Sequence, residues 1–446
     1  MSAMSKGCHV KTQTGKSEEY QYTPLVAAGG REVVVNLEAA AGAWDIGAGY
    51  RPLDGWSYNG VTPGPIIEAR QGETLVVRLT NRLDEPTTIH WHGLRLPAPM
   101  DGTENVQPTI SPGEQFEYRF ALPDAGTFWY HPHSNETVEL ERGLYGVLVV
   151  RGPDEPVVDR DRVLVFDDVR LDRGGAIAKP GGVMERHNGR LGNVRLLNGR
   201  VNPMIEMAAG QVERWRLVNV SSARYINFSL SGLPFRIVGS DGGLIESPVD
   251  ATEVRIPPAD RIEIVVGPFT EGQRMEVQSL RSDGFRSRRT ATYGTVCVGQ
   301  ARASVANVPS QLREITPLAP LNTPPIRQVT FFGFPSLTRG WDFTVNGETH
   351  HQGGPVRVGE LQVWEIVNRT PMDHPFHLHG FFFQVLTING KAPQYRSWED
   401  TVHVPPLGRV KIAWLPDDRP GSWMAHCHIL EHHAAGMMMH FDVVRA

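Results

Sequence analysis

Cysteine is scarce in this chain of 446 residues, which contains only Cys8, Cys297 and Cys427. Three cysteines are too few for a disulfide scaffold. At most one bridge, between Cys8 and Cys297, is predicted, because Cys427 belongs to a motif described below. Long apolar runs are also missing, since stretches such as 143–150 fall well short of the roughly 18 residues that cross a membrane. We therefore predict no membrane span.

Positive charge is not in excess either. The chain has 44 Lys and Arg against 49 Asp and Glu, for a net charge of −5. Basic residues form no dense block beyond the short cluster of Arg286, Arg288 and Arg289. This argues against a nucleic-acid partner, which requires a basic surface. Residues 1–20 lack the apolar stretch of a secretory signal, so no export route is predicted from them.

Glycine and proline, by contrast, are abundant, with 46 and 34 residues. Such a composition disfavours long helices and favours short strands joined by turns. The hydrophobic content of 40% is enough for each of several domains to bury its own core. An all-β chain of more than one domain is therefore expected.

One sequence pattern occurs three times, at residues 67–81, 205–219 and 356–368. Each copy has a glycine turn followed by alternating apolar and polar residues, which is typical of strands in a β-sandwich. We predict three consecutive β-sandwich domains, spanning 1–153, 154–305 and 306–446. The boundaries are placed near Pro153 to Pro156 and in the proline-rich stretch from Gln300 to Pro325.

Paired histidines mark the first and last copies of this pattern. Four His-x-His pairs are present: His90/His92, His131/His133, His377/His379 and His426/His428. The middle copy has Phe228 and Leu230 at the positions equivalent to His90 and His92. Residues i and i+2 of a strand share one face, so each pair presents two imidazoles side by side. The pattern predicts a shared metal cluster, and imidazole alone leaves copper, zinc, iron and nickel open.

A second set of residues narrows the choice of metal. Two histidines, a thiolate and a weak axial thioether form the ligand set of a blue-copper electron-transfer site. The chain supplies such a set in His374, Cys427, His432 and Met437. Cys427 lies between His426 and His428, so its side chain should face away from theirs and bind a different site. Eight histidines suffice for three further coppers, and four one-electron metals match the reduction of O2 to water.

The motifs together resemble those of the three-domain multicopper oxidases, the laccase family. They are His90-Trp91-His92-Gly93, His131-Pro132-His133, the run from His374 to Gly380, and the run from His426 to His432 with Met437. The resemblance implies three cupredoxin-like Greek-key domains with a type 1 copper on His374, Cys427, His432 and Met437. It implies a type 2 copper on His90 and His377. It also implies two type 3 coppers, one on His92, His131 and His428 and the other on His133, His379 and His426.

This resemblance implies an enzyme that removes single electrons from phenolic or aromatic-amine reductants and reduces O2 to water. Electrons would enter through His432 and pass from Cys427 to His426 and His428. The expected partners are O2 and a small reductant. By the same resemblance we expect a monomer located in the periplasm or outside the cell.

Proton supply departs from the family pattern. Asp101 occupies the position where bacterial relatives carry an acid near the cluster, although Asp101-Gly102 is also an ordinary turn sequence. Relatives often have a second acid directly after the last type 1 histidine, where this chain has His433. We therefore hypothesise that His433 or Glu431 takes over part of the proton relay.

Two further aspartates are weaker candidates. Asp373 could orient His374 or accept a hydrogen bond from substrate, since metal-bound histidines commonly have such a partner. Asp400, with Thr401, could line the substrate mouth. Several histidines have no partner at a useful spacing and are assigned no role: His9, His187, His350, His351, His403 and His440.

Two alternatives stay open. A metallo-oxidase acting on Cu(I), Mn(II) or Fe(II) would share every ligand, although this chain lacks the long methionine-rich insertion typical of copper-efflux oxidases. A non-enzymatic cupredoxin scaffold derived from an oxidase would have lost ligands. All twelve ligand positions are retained here, which favours an enzyme.

Overall fold

A computed structural model describes residues 32–281, 289–336 and 340–445. Cys8, His9, Arg286 and Arg288 lie outside these ranges, so the predicted pairing of Cys8 with Cys297 involves a residue that is not described. No helix in the described ranges is long and apolar enough to cross a membrane.

The described chain is built from six β-sheets, which confirms the predicted all-β fold. The first two sheets have the strand orders β2-β1-β4-β6 and β3-β8-β7-β5 and form the first domain. Their strands are β1 (Glu32–Trp44), β2 (Leu53–Tyr58), β3 (Ile67–Arg70), β4 (Thr74–Asn81), β5 (His90–His92), β6 (Gln115–Ala121), β7 (Gly126–His131) and β8 (Gly146–Arg151). A 3₁₀ turn (Ala98–Met100) and helix α1 (Glu136–Glu139) lie between strands.

The middle domain has a six-stranded sheet in the order β10-β9-β12-β17-β14-β15 and a five-stranded sheet in the order β11-β19-β18-β13-β16. The strands are β9 (Arg160–Val169), β10 (Val194–Leu197), β11 (Met204–Ala209), β12 (Glu213–Asn219), β13 (Ile226–Leu230), β14 (Phe235–Ser240), β15 (Gly243–Ala251), β16 (Val254–Ile256), β17 (Arg261–Val266), β18 (Arg274–Ser279) and β19 (Ala291–Ala301). Helix α2 (Val183–Asn188) lies between β9 and β10.

The third domain repeats this architecture with the strand orders β21-β20-β24-β28-β26 and β22-β30-β29-β25-β27, and β23 also pairs with β30. Its strands are β20 (Arg327–Ser336), β21 (Gly340–Val345), β22 (His351–Gln352), β23 (Val356–Arg357), β24 (Gln362–Asn368), β25 (His374–Leu378), β26 (Phe383–Ile388), β27 (Thr401–Val404), β28 (Arg409–Trp414), β29 (Gly421–Cys427) and β30 (Met438–Val444). Helix α3 (Leu430–Ala434) follows β29. The domain boundaries after residues 153 and 305 stay predictions.

The repeated pattern ends each time in a buried asparagine that closes the strand. Asn81 donates to two backbone carbonyls, and its carbonyl oxygen accepts from the backbone two residues later. Asn219 and Asn368 make the same three contacts at the ends of β12 and β24. A buried backbone polar group must be paired, and one amide side chain pairs several such groups where the chain leaves the sheet.

Apolar packing unites the first and third domains. One continuous core cluster contains Val33 and Trp91 of the first domain together with Phe376 and Trp423 of the third. The middle domain has a separate core around Trp215. The faces of the first and third domains are therefore held against each other, and the metal-ligand candidates lie on these faces.

Candidate metal centre

Strand register aligns the histidine pairs within each outer domain. In the antiparallel pair β5 and β7, His90 lies directly opposite His131. In β25 and β29, His377 lies opposite His426 in the same way. Directly opposed residues of an antiparallel pair project to one face. In the middle domain, Phe228 is instead a fully buried core residue.

The eight histidines of the four pairs converge where the first and third domains meet, and we call them the histidine cluster. The rings of His92 and His377 stack with centroids 3.8 Å apart, and those of His90 and His379 with centroids 4.1 Å apart. Three groups bring their ligand atoms within 4.8 Å of one another: His90/His92/His377, His92/His131/His428 and His133/His379/His426. Every group combines residues of both outer domains, so the histidine cluster exists only when these domains are packed together.

The donor atoms of the histidine cluster fit bound metal ions. Six buried imidazole nitrogens have no hydrogen-bond partner in the described structure: His90 Nε2, His92 Nδ1, His131 Nε2, His133 Nε2, His377 Nε2 and His428 Nδ1. Leaving such atoms unpaired costs about 1–3 kcal/mol each unless something binds them. Burial lowers the pKa of five members, His92, His131, His379, His426 and His428, well below the usual histidine value, which keeps those five imidazoles neutral with a lone pair available.

A second group of ligand atoms lies beside the histidine cluster. Cys427 Sγ is 3.3 Å from His374 Nδ1 and 3.7 Å from His432 Nδ1, and all three residues are fully buried. Met437 is also fully buried, and its carbonyl accepts a hydrogen bond from the backbone of Cys427. The thiol group is therefore in a different cluster from its chain neighbours His426 and His428, as the alternation of β29 predicts.

Two aspartates each hold one histidine from each outer domain. The Asp101 carbonyl accepts from His90 Nδ1 at 2.8 Å, and its carboxylate lies 2.8 Å from His379 Nδ1. The Asp400 carbonyl accepts from His377 Nδ1 at 2.9 Å, and its carboxylate lies 3.0 Å from His92 Nε2. A hydrogen bond at one ring nitrogen directs the lone pair of the other toward a metal. This arrangement orients four of the eight ligands.

The hypothesis that Asp400 lines the substrate mouth is wrong. Asp400 is 1% exposed and lies against the histidine cluster. The reason is the pairing of β27 with β25, which puts Thr401 opposite His377. Sequence spacing conceals this neighbourhood, because Asp400 is 308 residues from His92.

The comparison with known proteins agrees with this chemistry. Three family models described as multicopper oxidase match residues 46–155, 170–274 and 321–446. The multicopper oxidase MmcO of Mycobacterium tuberculosis (strain ATCC 25618 / H37Rv) is 31% identical over 461 residues, covering 93% of this chain and 88% of MmcO. This chain belongs to the multicopper oxidase family. It is therefore an O2-using oxidoreductase, and its histidine and cysteine clusters are consistent with a type 1 copper and a trinuclear copper centre.

Two solved structures show similarity over nearly the whole multicopper oxidase chain. One is a multicopper oxidase from Campylobacter jejuni described as a metallo-oxidase, with a TM-score of 0.84 and 28% identity over 96% of this chain and 95% of that one. The other is a laccase-like enzyme from Ochrobactrum sp. with activity towards lignin model compounds, with a TM-score of 0.82 and 27% identity over 95% and 99%. The family thus includes enzymes with different reductants.

Glu136 is a residue of this oxidase that sequence reasoning missed. Its carboxylate lies 3.0 Å from His133 Nε2 and, through the other oxygen, 3.0 Å from His433 Nδ1. His433 in turn stacks on His426 with centroids 4.3 Å apart. The available signal was local, because Glu136 follows His133 by only three residues.

The structure separates the two relay candidates His433 and Glu431. His433 lies against the histidine cluster, whereas the carboxylate of Glu431 accepts a hydrogen bond from the backbone of Arg190 in the middle domain at 2.8 Å.

Asp373, the candidate for orienting His374, pairs instead with Arg255 at 3.0 Å. His374 Nε2 contacts the hydroxyl of Thr370 at 2.7 Å.

Helix α2 of the middle domain covers the outer face of His432. His432 Nε2 donates to the backbone carbonyl of His187 at 2.9 Å, and the ring of Phe343 stacks on His432 with centroids 3.8 Å apart. The ring of Trp341 packs against His187 at 4.2 Å. His187, for which the sequence predicts no role, therefore contacts the cysteine site through its backbone.

Proposed function

We propose that this multicopper oxidase is laccase-like, and that phenols or aromatic amines are its reductants. The proposed ligand sets are those that the resemblance implies. Type 1 copper is assigned to His374, Cys427, His432 and Met437. Type 2 copper is assigned to His90 and His377. The two type 3 coppers are assigned to His92, His131 and His428, and to His133, His379 and His426.

Bound copper supplies the one-electron chemistry that couples oxidation of the reductant to four-electron reduction of O2, and the protein supplies orientation and exclusion of water. Cys427 is bonded through the backbone to both His426 and His428, so a single strand connects the two sites. Burial of every assigned histidine keeps the sites dry and the donor atoms in one geometry.

The apolar character of the surface near His432 carries the proposal for the reductant. Trp341 is partly exposed and packs against His187, while Phe343, which stacks on His432, is fully buried beneath it. The exposed side chains of helix α2, which packs against β21, are apolar. Val183 is 58% exposed and Met184 66% exposed. Such a surface suits the flat apolar ring of a phenol or aromatic amine.

The pairing of the acid on helix α2 also favours an organic reductant over a metal ion. Glu185, the acid of helix α2, lies 3.1 Å from Arg170 and 3.2 Å from Arg190. A carboxylate already paired with two guanidinium groups is a poor ligand for a metal-ion reductant.

A metallo-oxidase is the second candidate, and Met184 is the observation that favours it. Its exposed thioether lies on the helix that contacts His432, and thioether sulfur is a ligand that Cu(I) prefers. The Campylobacter jejuni structure described as a metallo-oxidase adds to this case.

Oxygen consumption by the copper-loaded protein tests the two candidates. A methoxyphenol and Cu(I) are supplied in parallel reactions, after the visible spectrum has established the blue site. Faster turnover of the phenol is expected. Faster turnover of Cu(I), together with a selective loss of Cu(I) oxidation in Met184→Leu, would establish the metallo-oxidase. A blue but inert protein would contradict both.

Protons for O2 reduction are proposed to come through Asp101 and through the pair of His433 with Glu136. Asp101 Oδ1 is buried without a hydrogen-bond partner and lies 3.4 Å from His90 Nδ1, a position next to the proposed trinuclear site. His433 replaces the expected acid and contacts both Glu136 and the histidine cluster. Glu431 faces the middle domain, so the relay is assigned to His433. The monomeric state and the location outside the cytoplasm stay predictions.

A further inference from the structure

Arg261 joins all three domains at a buried point beside the histidine cluster. It begins β17 of the middle domain and is fully buried. Its Nε donates to the carbonyl of Thr127 in the first domain at 2.9 Å. Its two terminal nitrogens donate to the carboxylate of Asp400 in the third domain at 2.8 and 2.5 Å. This bidentate contact fixes both the position and the plane of the carboxylate.

Asp241, also in the middle domain, holds the backbone of the same segment. One oxygen of its carboxylate accepts from the backbone nitrogens of Asp400 at 3.1 Å and Thr401 at 2.9 Å. The other oxygen accepts from the backbone of Arg261 at 2.9 Å. Arg261 thus fixes the side chain of Asp400, while Asp241 fixes its backbone.

Asp400 passes this constraint to two histidines of the cluster. Its carboxylate holds His92 and its carbonyl holds His377, and the hydroxyl of Thr401 lies 3.2 and 3.3 Å from these two rings. In both histidines the opposite ring nitrogen is buried and unpartnered. Those two nitrogens are the atoms left for copper.

Gly93, which directly follows the histidine strand β5, supplies an independent observation on the Arg261–Asp400 contact. Its φ is +86°, and a Cβ there would lie 2.6 Å from Asp400 Oδ2 and closer still to Arg261 Nη2. Only glycine therefore leaves room for the Arg261–Asp400 pair directly after His92.

We propose that Arg261 and Asp241 are positioning residues for the trinuclear copper site, supplied by the domain that has no copper ligands of its own in the repeated motif. The inference rests on the proposed assignment of His92 and His377 as ligands. Arg261 also supplies the charge that Asp400 needs. Two guanidinium nitrogens of Arg261 contact the buried carboxylate, so its charge is paired and its oxygen is held as an acceptor for His92.

The test compares Arg261→Lys, Arg261→Met and Asp241→Asn with the control Arg216→Lys. Arg216 is equally buried in the middle domain and pairs with Asp161 and Glu263. Like Arg261 it donates to Thr127 of the first domain, here to the hydroxyl at 2.9 Å, but none of its contacts in the described structure is with Asp400. The measurements are copper retention against a chelator, the type 2 electron paramagnetic resonance signal, the type 1 visible band, and the Tm of the copper-free protein.

In the Arg261 and Asp241 variants we expect loss of about half or more of the type 2 signal. We also expect about 10- to 100-fold weaker retention of cluster copper, the usual effect of removing a partner of a metal-bound histidine. Arg261→Lys, which keeps the charge, should lose less than Arg261→Met. The type 1 band should be unchanged, and Arg216→Lys should keep both signals despite a similar decrease in Tm.

Equal type 2 signals and retention in Arg261→Met and Arg216→Lys would overturn the inference. So would a parallel loss of type 1 and type 2 signals in every folded variant, because that pattern marks a structural role alone. If Arg261→Met does not fold, Arg261→Lys and Asp241→Asn decide the question. A wild-type protein without a type 2 signal would contradict the ligand assignment itself. This outcome distinguishes a failure of the proposed function from a failure of the positioning inference.

Discussion

At the residue scale, the candidate copper sites depend on oxygen atoms that bind no metal. Asp101 and Asp400 each use a carbonyl and a carboxylate oxygen to orient one histidine of each outer domain. The hydroxyl of Thr370 orients His374, and the backbone carbonyl of His187 orients His432. These contacts select which ring nitrogen faces the metal, and they determine the geometry as much as the ligands do.

Met437 is the residue through which the type 1 potential can be changed. Replacement by leucine removes the weak axial thioether while keeping a similar volume in a fully buried position. We expect Met437→Leu to raise the potential, measured by redox titration of the visible band. Met439→Leu, also buried and in the adjacent strand β30, is the matched control. An unchanged or lower potential in Met437→Leu would contradict its assignment as a ligand.

His433 tests the proposed relay. We expect His433→Ala to slow O2 reduction about 10-fold or more, within the range of general acid–base effects, with the larger loss at high pH where protons are scarce. Glu136→Gln should act in the same direction because Glu136 contacts His433. Glu431→Gln is the control on the same helix. O2 uptake in His433→Ala that equals wild type at every pH would eliminate the His433 relay.

At the scale of single elements, strand register determines which side chains meet. The β5/β7 and β25/β29 pairings place histidines opposite each other. In β9 of the middle domain, two of the three aspartates have contrasting surroundings. Asp161 pairs with Arg216, whereas Asp167 contacts the hydroxyl of Tyr145 at 2.6 Å. As the pH rises, the two aspartates therefore change the free energy of unfolding in opposite directions.

Burial raises the pKa of Asp167 to about 8, well above its unfolded value. The folded state then binds more protons than the unfolded state between about pH 4 and 8, so stability falls as the pH rises through this window. Asp167→Asn removes this penalty. Relative to the Tm of wild type, we expect the Tm of Asp167→Asn to rise by a few degrees from pH 5 to pH 8. One kcal/mol of stability corresponds to about 2–4 °C in Tm.

Asp161→Asn is the matched control for this experiment. Although burial opposes ionisation, the arginines around Asp161 lower its pKa to about 2, so its stabilising contribution is lost only in stronger acid. The Tm difference between Asp161→Asn and wild type should therefore stay constant from pH 5 to 8. A Tm difference for Asp167→Asn that is equally constant would contradict the argument.

At the scale of the whole molecule, the histidine cluster consists of residues from two domains, and the middle domain positions the cluster residues. The groups His90/His92/His377, His92/His131/His428 and His133/His379/His426 each include residues from both outer domains, and Arg261 of the middle domain contacts both domains. The two outer domains also share one apolar core. Copper bound at this position is expected to act as a crosslink between domains.

Copper removal should therefore lower thermal stability. A ligand that binds only the folded state adds about 4 kcal/mol at 1,000 times its Kd, and several coppers at one interface add more. Calorimetry of the loaded and copper-free protein should show a lower Tm and a broader transition for the copper-free form, reversed by added copper. Zinc, which is redox-inactive, is added to the copper-free protein in a parallel sample as the control. Coincident transitions with and without copper would contradict the crosslink.

Local sequence patterns were sufficient for the fold class and for where the candidate ligands stand in the chain. Period-two alternation specifies strands, the triplicated motif specifies three sandwiches, and His-x-His places two imidazoles on one face. The separation of Cys427 from His426 and His428 follows from the same alternation. These features involve neighbours within about ten residues, and backbone geometry alone determines them.

Tertiary structure decided which groups surround those ligands. Asp400 reaches His92 across 308 residues, Arg261 reaches Asp400 across 139, and His433 reaches Glu136 across 297. No local period encodes such contacts, because they depend on how three domains pack and on which strands are neighbours. The sequence alone determined the metal chemistry, whereas the orienting aspartates, the relay partner and the role of the middle domain depended on packing between distant parts of the chain.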